Sequence, residues 1–195
     1  MLEIILASKS KVRREILEKN GLGCHVEPSN VDEDIIKNSL LNEGATPETI
    51  SKNLAEIKAN KVSQKKIDKL VLGADSVIDL DNKIISKPKN RNDALKILKN
   101  LNGRKHNLIS SVCISKNGAM VWNYSDTSEL KMKNFKEEQL MSYLDKIKTE
   151  TLLAYGVYQV EAEGLKLFEY IKGDINSIMG LPIKDIINYI KQYKK

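Results

Sequence analysis

The stretch VLGADSVIDLDNKIISKP, residues 71 to 88, restricts the possible folds of this chain more than any other. The apolar run Leu70 to Leu72 predicts a buried strand that leads directly to Asp75. The pair Asp81-Asn82 favours a tight turn, after which the chain returns and places Lys87 near that strand. The stretch therefore predicts a hairpin that brings a carboxylate and an ammonium group together.

Two roles fit this pair of charges. Lys87 can hold an anionic substrate while Asp75 binds a divalent ion or activates water. A simple ion pair on the surface of a hairpin has the same composition. These residues alone favour neither role over the other.

The chain has 195 residues, which is enough for one sizeable core but not for two independent large domains. Because no internal repeat or flexible linker interrupts it, we expect a single domain, residues 1–195. Apolar residues make up 41% and charged residues 30%, which excludes a disordered chain. The net charge of +6 permits phosphate-rich partners, although the lysines are spread along the whole chain.

The sequence favours a cytoplasmic protein without membrane contacts. The apolar run near its start is too short for a signal peptide or a membrane span, and no cationic segment precedes it. Cys24 and Cys113 are far apart and belong to no metal-binding motif, so we expect two free thiols.

A phosphate site is predicted near the first helix. Leu2 to Leu6 is a candidate strand, and Ser10 is a suitable N-cap for the helix that follows. The free N–H groups and the positive dipole end of such a helix attract phosphate, and Ser8, Ser10 and Arg13 lie within reach. The alternative is that Ser10 only caps the helix and the cations only cover a solvated face. The clustering favours phosphate.

Two further segments carry candidate charges. The acidic run at residues 32–34, which includes Glu33, falls in a predicted loop, where it can bind a metal or, more commonly, remain solvated. Thr46 begins a helix predicted to continue to about Ile67. This helix presents Lys58 beside its apolar stripe, so that the ammonium can reach either solvent or a phosphate in a cleft.

The remaining pattern alternates helices and strands. Asn92 is the predicted cap of one helix, and Pro182 opens the last one. Between them, residues 108–115 and 119–131 form the clearest β-hairpin of the chain, joined by Asn117-Gly118. Interleaved helices, parallel strands and hairpins predict a mixed α/β protein.

Seven short motifs occur in order along the chain: LASxSxxRRE at Leu6–Glu15, VDE at Val31–Glu33, LAxxKA at Leu54–Ala59, GAD at Gly73–Asp75, KP at Lys87-Pro88, GRxH at Gly103–His106 and GLP at Gly180–Pro182. Together they resemble the Maf family of nucleoside triphosphate pyrophosphatases from Ile4 to about Ile187. The resemblance implies hydrolysis between the α and β phosphates of a nucleoside triphosphate, with the help of Mg²⁺ or Mn²⁺. It also implies an elongated mixed parallel/antiparallel sheet flanked by helices, with two lobes around a cleft as in Maf and ITPase proteins, and, at the level of the family, a homodimer.

The resemblance implies roles for individual residues. Asp75 is the acid that accepts a proton from water or binds the metal, and Glu33 is a second carboxylate near the ion. The implied ligands of the triphosphate are Ser8, Arg13, Lys58 and Lys87, of which the two lysines also count as catalytic. Elementary chemistry agrees, because cations neutralise the phosphates while a metal and a carboxylate position the attacking water.

Three positions bear on the choice of substrate. The family members that resemble dTTP/UTP pyrophosphatases have arginine, threonine and glutamine where this chain has Val12, Ser76 and Glu161. The apolar Val12 and the acidic Glu161 are closer to the members acting on 7-methyl-GTP. Those members have tryptophan where this chain has Val12 and glutamine where it has Ser76. Because a glutamate can accept hydrogen bonds from a guanine edge or face a cationic methylated base, we expect a modified purine. A dTTP/UTP pyrophosphatase is the alternative.

A second class of function is a basic protein that binds nucleic acid or regulates cell division through the same cleft without chemistry. The basic residues lack an obvious stacking platform or recognition helix, so nucleic acid is an unfavoured partner. The sequence contains neither GxxxxGK[ST] nor GxGxxG, which argues against a P-loop NTPase and a dinucleotide-binding fold. The expected partner is a nucleoside triphosphate.

Overall fold

The computed structural model describes residues 3–160 and 163–193. Its strands are β1 Ile4–Leu6, β2 Cys24–Val26, β3 Val71–Leu80, β4 Lys83–Ile85, β5 Lys105–Lys116, β6 Ala119–Met132 and β7 Phe168–Lys172. Its helices are α1 Lys11–Lys19, α2 Glu33–Asn42, α3 Pro47–Ser63, α4 Arg91–Leu101, α5 Glu137–Asp145, α6 Thr149–Tyr155, α7 Ile175–Ile178 and α8 Ile183–Tyr193, with a 3₁₀ turn at Glu163–Leu167.

The seven strands form one mixed sheet in the order β2-β1-β3-β5-β6-β7, with β4 added beside β3. β1 runs parallel to both β2 and β3, whereas the pairs β3–β4, β3–β5, β5–β6 and β6–β7 are antiparallel. This arrangement confirms the predicted α/β class with a mixed sheet flanked by helices.

Two large hydrophobic clusters give the sheet two lobes. One cluster joins β1 and α1 to α8 and includes Leu6, Leu17 and Ile186. The other joins α4, α5 and α6 to β7 and includes Leu98 and Leu152. The long strands β3 and β5 contribute residues to both clusters, so they run from one lobe to the other. The middle of β3 therefore lies between the lobes.

Local sequence signals account for most of the element boundaries. Ser10 caps α1 by accepting a hydrogen bond from the backbone N–H of Arg13, and Thr46 caps α3 in the same way, with Pro47 in its first turn. Asp81 and Asn82 both have positive φ angles, 54° and 62°, as the tight turn between β3 and β4 requires. Both predicted caps and the predicted hairpin at residues 71–88 are confirmed.

Four sequence predictions are corrected. The acidic run is not a loop, because Asp32 caps α2 and Glu33 lies in the first turn of that helix. Asn90, rather than Asn92, caps α4. α3 ends at Ser63 instead of near Ile67. The predicted first strand begins at Ile4 in the described part of the chain, and Leu2 lies outside it.

Three further features of the fold are its two cysteines, its tryptophan and the length of its helices. Cys24 and Cys113 are both free, as predicted. Trp122 stacks on Tyr189 of α8 with ring centroids 4.9 Å apart, so this strand aromatic packs between sheet and helix. Within residues 3–160 and 163–193, every helix is too short or too polar to span a membrane.

Candidate active site

A notch interrupts one edge of β3 between the two lobes. β1 pairs with β3 at Val71 and Leu72, and β4 pairs with it only from Ile78 onward. Between these points, residues 73–77 have no strand partner on that edge in the part of the chain that the structure describes. Asp75 lies in the middle of this notch, so side chains from neighbouring elements and a ligand can approach it from the side.

Lys58 joins two carboxylates at the notch. Its Nζ lies 2.7 Å from Oδ1 of Asp75 and 2.8 Å from Oε1 of Glu33. Lys58 and Asp75 are buried, with 5% and 6% of their surface exposed, whereas 47% of the Glu33 side chain is exposed. A buried carboxylate and ammonium thus connect to a second carboxylate at the mouth of the notch. The structure brings together three of the residues that the sequence selected.

Helix α3 holds Lys58 in place because it lies directly on β3. A Cβ atom on Gly73 would stand 2.7 Å from the backbone nitrogen of Ala59 and closer still to the carbonyl oxygen of Ala55. Glycine is therefore required for this close approach of helix and strand. One turn before Ala55, the buried Ser51 donates a hydrogen bond of 3.2 Å to the backbone carbonyl of Asp75.

Helix α2 brings Glu33 to the same place. Lys61 of α3 donates a hydrogen bond of 2.7 Å to the backbone carbonyl of Asn30, which ties the segment before α2 to α3. Asp32 then caps the helix, and Glu33 follows in the first turn. Because α2 begins beside α3, Glu33 reaches Lys58 across the helix pair.

The charges of the notch shift the pKa values of its carboxyl groups in opposite directions. Burial raises the pKa of Asp75, and the neighbouring Lys58 only partly offsets this effect. Burial also acts to raise the pKa of Glu33, but the charges of Lys58, Lys87 and Arg13 outweigh it and lower that pKa overall. Asp75 is thus the more basic of the two carboxylates, and Glu33 the more persistently charged.

Lys87 stands at the mouth of the notch, just after β4. Its side chain is exposed, yet the partial desolvation of its ammonium group lowers its pKa, and the positive charge of Arg13 lowers it further. Glu33 and Asp75 oppose this shift. Lys87 therefore interacts electrostatically with the carboxylates, but the lysine that forms the ion pair with Asp75 is Lys58 of α3, not the hairpin lysine that the sequence predicts.

We expect binding of an anionic ligand to weaken at alkaline pH, because Lys87 loses its proton at a lower pH than an ordinary lysine and its attraction for phosphate disappears as the pH rises through that lowered pKa. In Lys87→Arg the guanidinium keeps its charge, so the alkaline loss of affinity for an anionic probe such as inorganic pyrophosphate should move to higher pH. The measurement is the pH profile of both proteins. Coincident alkaline limbs would contradict the assignment.

Arg13 binds protein groups around the notch with most of its donors. Nη1 donates to the carbonyl of Ala74 at 2.9 Å and more weakly to Ser8 Oγ at 3.4 Å, while Nη2 donates to Ser76 Oγ at 3.1 Å. Nε donates to the carbonyl of Gly180 at 2.9 Å. The guanidinium therefore connects the start of α1, the open edge of β3 and the turn before α8.

We expect Arg13→Lys to lower the free energy of unfolding by about 2 kcal/mol, because a single ammonium cannot reach the carbonyls of both Ala74 and Gly180 and leaves one half-buried acceptor unpaired. Urea denaturation measures this change. The matched control is Arg14→Lys, since Arg14 is exposed and pairs only with Glu18 on the same helix. Equal stability of the two variants would contradict the connecting role of Arg13.

The remaining predicted site residues have different surroundings. Ser8 Oγ accepts hydrogen bonds from the backbone N–H of Ser10 and from Arg13, and Ser10 caps α1. Val12 packs against the hydrophobic cluster of α1 and α8. Glu161 lies outside the described residues.

Ser76 lies on the other face of β3 from Asp75. Its Oγ is 2.9 Å from Ser110 Oγ on β5 and accepts a hydrogen bond from Arg13. Gly180 covers this contact, and its φ of +100° is one that glycine adopts without strain. The Ser76 hydroxyl thus already has two hydrogen-bond partners in the protein, Arg13 and Ser110, which restrict its contact with a ligand.

Sequence reasoning missed Ser51, Ser110 and the carbonyl of Gly180. Ser51 was detectable in principle, because it precedes Lys58 by seven residues and so lies on the same face of α3. Ser110 faces Ser76 through the register of two antiparallel strands, which the sequence does not specify.

The oxygen donors of the notch fit a divalent cation. The ion pair with Lys58 uses one oxygen of Asp75 and one of Glu33. Within residues 3–160 and 163–193, no three carboxylate, imidazole or thiol groups converge on one point. Mg²⁺ is commonly held by one or two carboxylates together with substrate phosphates, so two carboxylates are the donor set expected when a phosphate ligand completes the site.

The fold and the notch define a mixed α/β protein with a charged site suited to anionic, phosphate-bearing ligands. The chain belongs to the Maf family, whose model, described as Maf-like protein, matches residues 3–193.

Three curated relatives match almost the whole chain. A nucleoside triphosphate pyrophosphatase of Pelagibacter ubique is 60% identical over 192 residues, covering 98% of each chain. Nucleoside triphosphate pyrophosphatase 1 of a Jannaschia species is 37% identical over 191 residues, covering 98% of this chain and 96% of the relative. A 7-methyl-GTP pyrophosphatase of Rhizobium etli is 34% identical over 190 residues, covering 97% and 96%.

Proposed function

We propose that this protein is a nucleoside triphosphate pyrophosphatase that cleaves the bond between the α and β phosphates and releases a nucleoside monophosphate and pyrophosphate. The observation that carries the proposal is the contact of Lys58 with both Asp75 and Glu33 at the open edge of β3. Relatives that cover nearly the whole chain and bear this name support it.

Asp75 is the proposed base. Burial raises the pKa of Asp75 and so makes its carboxylate a better proton acceptor than that of an ordinary aspartate, while the contact with Lys58 favours its ionised form. A water held against Asp75 loses its proton to the carboxylate as it attacks the α phosphorus. The oxygen between the α and β phosphates leaves with the pyrophosphate, so the attacking and leaving oxygens lie in line.

Cations around the notch stabilise the negative charge that develops on the phosphates. The proposed role of Lys87 at the mouth is to bind the β and γ phosphates, and that of Lys58 is to hold both carboxylates in position; the ion pairs of Lys58 and the charges around Lys87 support these roles. Ser8 and the N-terminus of α1, capped by Ser10, offer further donors. Most donors of Arg13 already bind protein, so its proposed contribution to phosphate binding is the remaining N–H of Nη2 and its charge.

A divalent cation, Mg²⁺ or Mn²⁺, is part of the proposal. Asp75 in the notch and Glu33 at its mouth would hold it, each through the carboxylate oxygen that Lys58 does not contact. When bound, such an ion supplies Lewis-acid stabilisation of the phosphate charge.

For the substrate we propose a modified purine triphosphate such as 7-methyl-GTP. Val12 and Ser76 depart from the pattern of the pyrimidine subgroup, and the relative from Rhizobium etli bears the name 7-methyl-GTP pyrophosphatase. The hydrogen bonds from Arg13 and Ser110 restrict the Ser76 hydroxyl, so its proposed influence on the base is indirect.

The test is pyrophosphate release with Mg²⁺ or Mn²⁺ across dTTP, UTP, CTP, GTP and 7-methyl-GTP. Selective release from 7-methyl-GTP is the expected result. Preference for dTTP or UTP would keep the activity and overturn the substrate assignment. Absence of release from every triphosphate by folded protein would overturn the proposed activity, and salt-sensitive binding of oligonucleotides by that protein would favour the nucleic-acid alternative.

A further inference from the structure

A second polar cavity lies at the far end of β3 from α1. It has a volume of about 250 Å³ and is lined by residues of the β3–β4 turn and of β5 and β6, among them Asp79, Asp81, Lys105, Asn107 and Glu129. Asp79 is opposite Asn107 in the sheet, and Asn107 is opposite Glu129. These three side chains therefore share one face across three neighbouring strands.

Two residues of this lining, Asp79 and His106, have a buried polar atom without a hydrogen-bond partner among the described residues, and Asp79 is the one with a negative charge. Only 9% of its surface is exposed, and its Oδ1 has no hydrogen-bond partner among the described residues. A buried carboxylate oxygen without a donor is costly, and a donor from outside the protein, carried by water or by a ligand, would relieve that cost.

The other two carboxylates of the cavity already have cationic partners. Asp81 pairs with Arg104. Glu129 accepts hydrogen bonds from the hydroxyl of Tyr170 at 2.9 Å and from Lys172 at 3.3 Å. Of the three carboxylates that line the cavity, Asp79 is therefore the one without a cationic partner among the described residues.

The lining favours a neutral ligand over a metal ion. Lys105 contributes an ammonium group to the wall, which would repel a dication. In the described part of the chain, the carboxylates and the imidazole do not converge on one point as metal ligands must. The fitting ligand carries N–H donors for Asp79 and an oxygen or nitrogen acceptor for Lys105. These two residues are diagonal neighbours on β3 and β5, with a typical separation of about 7–8 Å.

We propose that this cavity binds the base of a guanine nucleoside. The adjacent N1–H and N2–H₂ groups of guanine match the two oxygens of one carboxylate, and its O6 and N7 accept hydrogen bonds from an ammonium group. The volume suits one base rather than a whole nucleotide. Asp79 lies four residues beyond Asp75 on the same face of β3, a distance of about 13 Å, so binding of a base at Asp79 can be measured apart from the proposed hydrolysis at the notch.

Guanosine is the probe, because without phosphates it cannot use the cationic groups of the notch. Calorimetric titration should show binding to the wild type and a loss of affinity of about tenfold or more in Asp79→Asn, whose amide offers an N–H where the ligand also has one. Inosine, which lacks the 2-amino group, should bind more weakly than guanosine. The matched control is Asp34→Asn, which removes an exposed carboxylate on α2 outside the cavity lining and should leave the affinity unchanged.

Thermal unfolding of both variants establishes that they are folded. Failure of guanosine to bind the wild type, equal affinity in Asp79→Asn, or equal affinity for adenosine would each overturn the proposal. Binding of Mn²⁺ that disappears in Asp79→Asn would also overturn it, because the cavity would then be a metal site. Pyrophosphate release is measured separately, so failure of this proposal and failure of the proposed activity are distinguishable.

Discussion

Replacing Asp75 with asparagine should reduce pyrophosphate release at least about a thousandfold, because the amide neither accepts a proton from water nor binds a cation with a full negative charge. Asparagine has nearly the same shape and can still accept a hydrogen bond from Lys58, which lies 2.7 Å from the carboxylate. The fold should therefore be retained, as checked by circular dichroism. The measurement is kcat/KM with the preferred triphosphate at saturating Mg²⁺.

The matched control for this variant is Asp34→Asn. Asp34 is exposed and neighbours Glu33 in the first turn of α2. Its replacement makes the same change of carboxylate to amide near the notch without altering a residue of the notch. It should leave kcat/KM nearly unchanged. If Asp75→Asn retained more than a small fraction of the wild-type activity, Asp75 would not be the base, and a different group would have to activate the water.

Replacing Gly73 with alanine should lower the free energy of unfolding by about 2–3 kcal/mol and remove most of the activity, because the new methyl group meets the backbone of α3 rather than a flexible side chain. The helix must move away from β3 to admit it, and Lys58 moves with the helix. Urea denaturation measures the first effect, and pyrophosphate release by the folded variant measures the second.

Gly23→Ala provides the matched control, because no atom lies within 4 Å of the position where its methyl group would stand. That variant should be as stable and as active as the wild type. Full activity of Gly73→Ala would mean that α3 can shift without displacing Lys58, and the close contact between helix and strand would then not be what positions this lysine.

The sequence predicts this fold best where a local rule decides the structure. The turn at Asn117-Gly118 and the N-caps at Ser10 and Thr46 each depend on a few neighbouring residues, and all three are confirmed. Such local rules do not decide the structure at residues 32–34, because acidic residues are common both in solvated loops and in the first turn of a helix. Asp32 caps α2 locally, and the hydrogen bond from Lys61 to Asn30 ties the segment before this helix to α3.

The candidate site is predictable in its residue types but not in its connections. Lys58 and Asp75 fall in recognisable motifs, yet their contact with Glu33 depends on how two helices meet the sheet. The bond from Arg13 to Gly180 joins residues 167 positions apart and cannot be inferred from spacing. The predicted role of Glu161 remains a prediction, because that residue is outside the described part of the chain.

The alternation of side chains along β3 has a consequence for how the substrate range of this protein can change over evolutionary time. Asp75 faces α3, and its neighbour Ser76 faces Ser110 and Arg13 on the other side of the sheet. A mutation at position 76 therefore alters one side of the sheet and leaves the packing around Asp75, the proposed base, intact. Deletion of a single residue from this strand would move every following side chain to the opposite face of the sheet, so that neither Asp75 nor Ser76 would keep its present contacts. Position 76, a proposed influence on substrate choice, can thus vary by substitution, whereas a change in the length of β3 would displace Asp75 from Lys58.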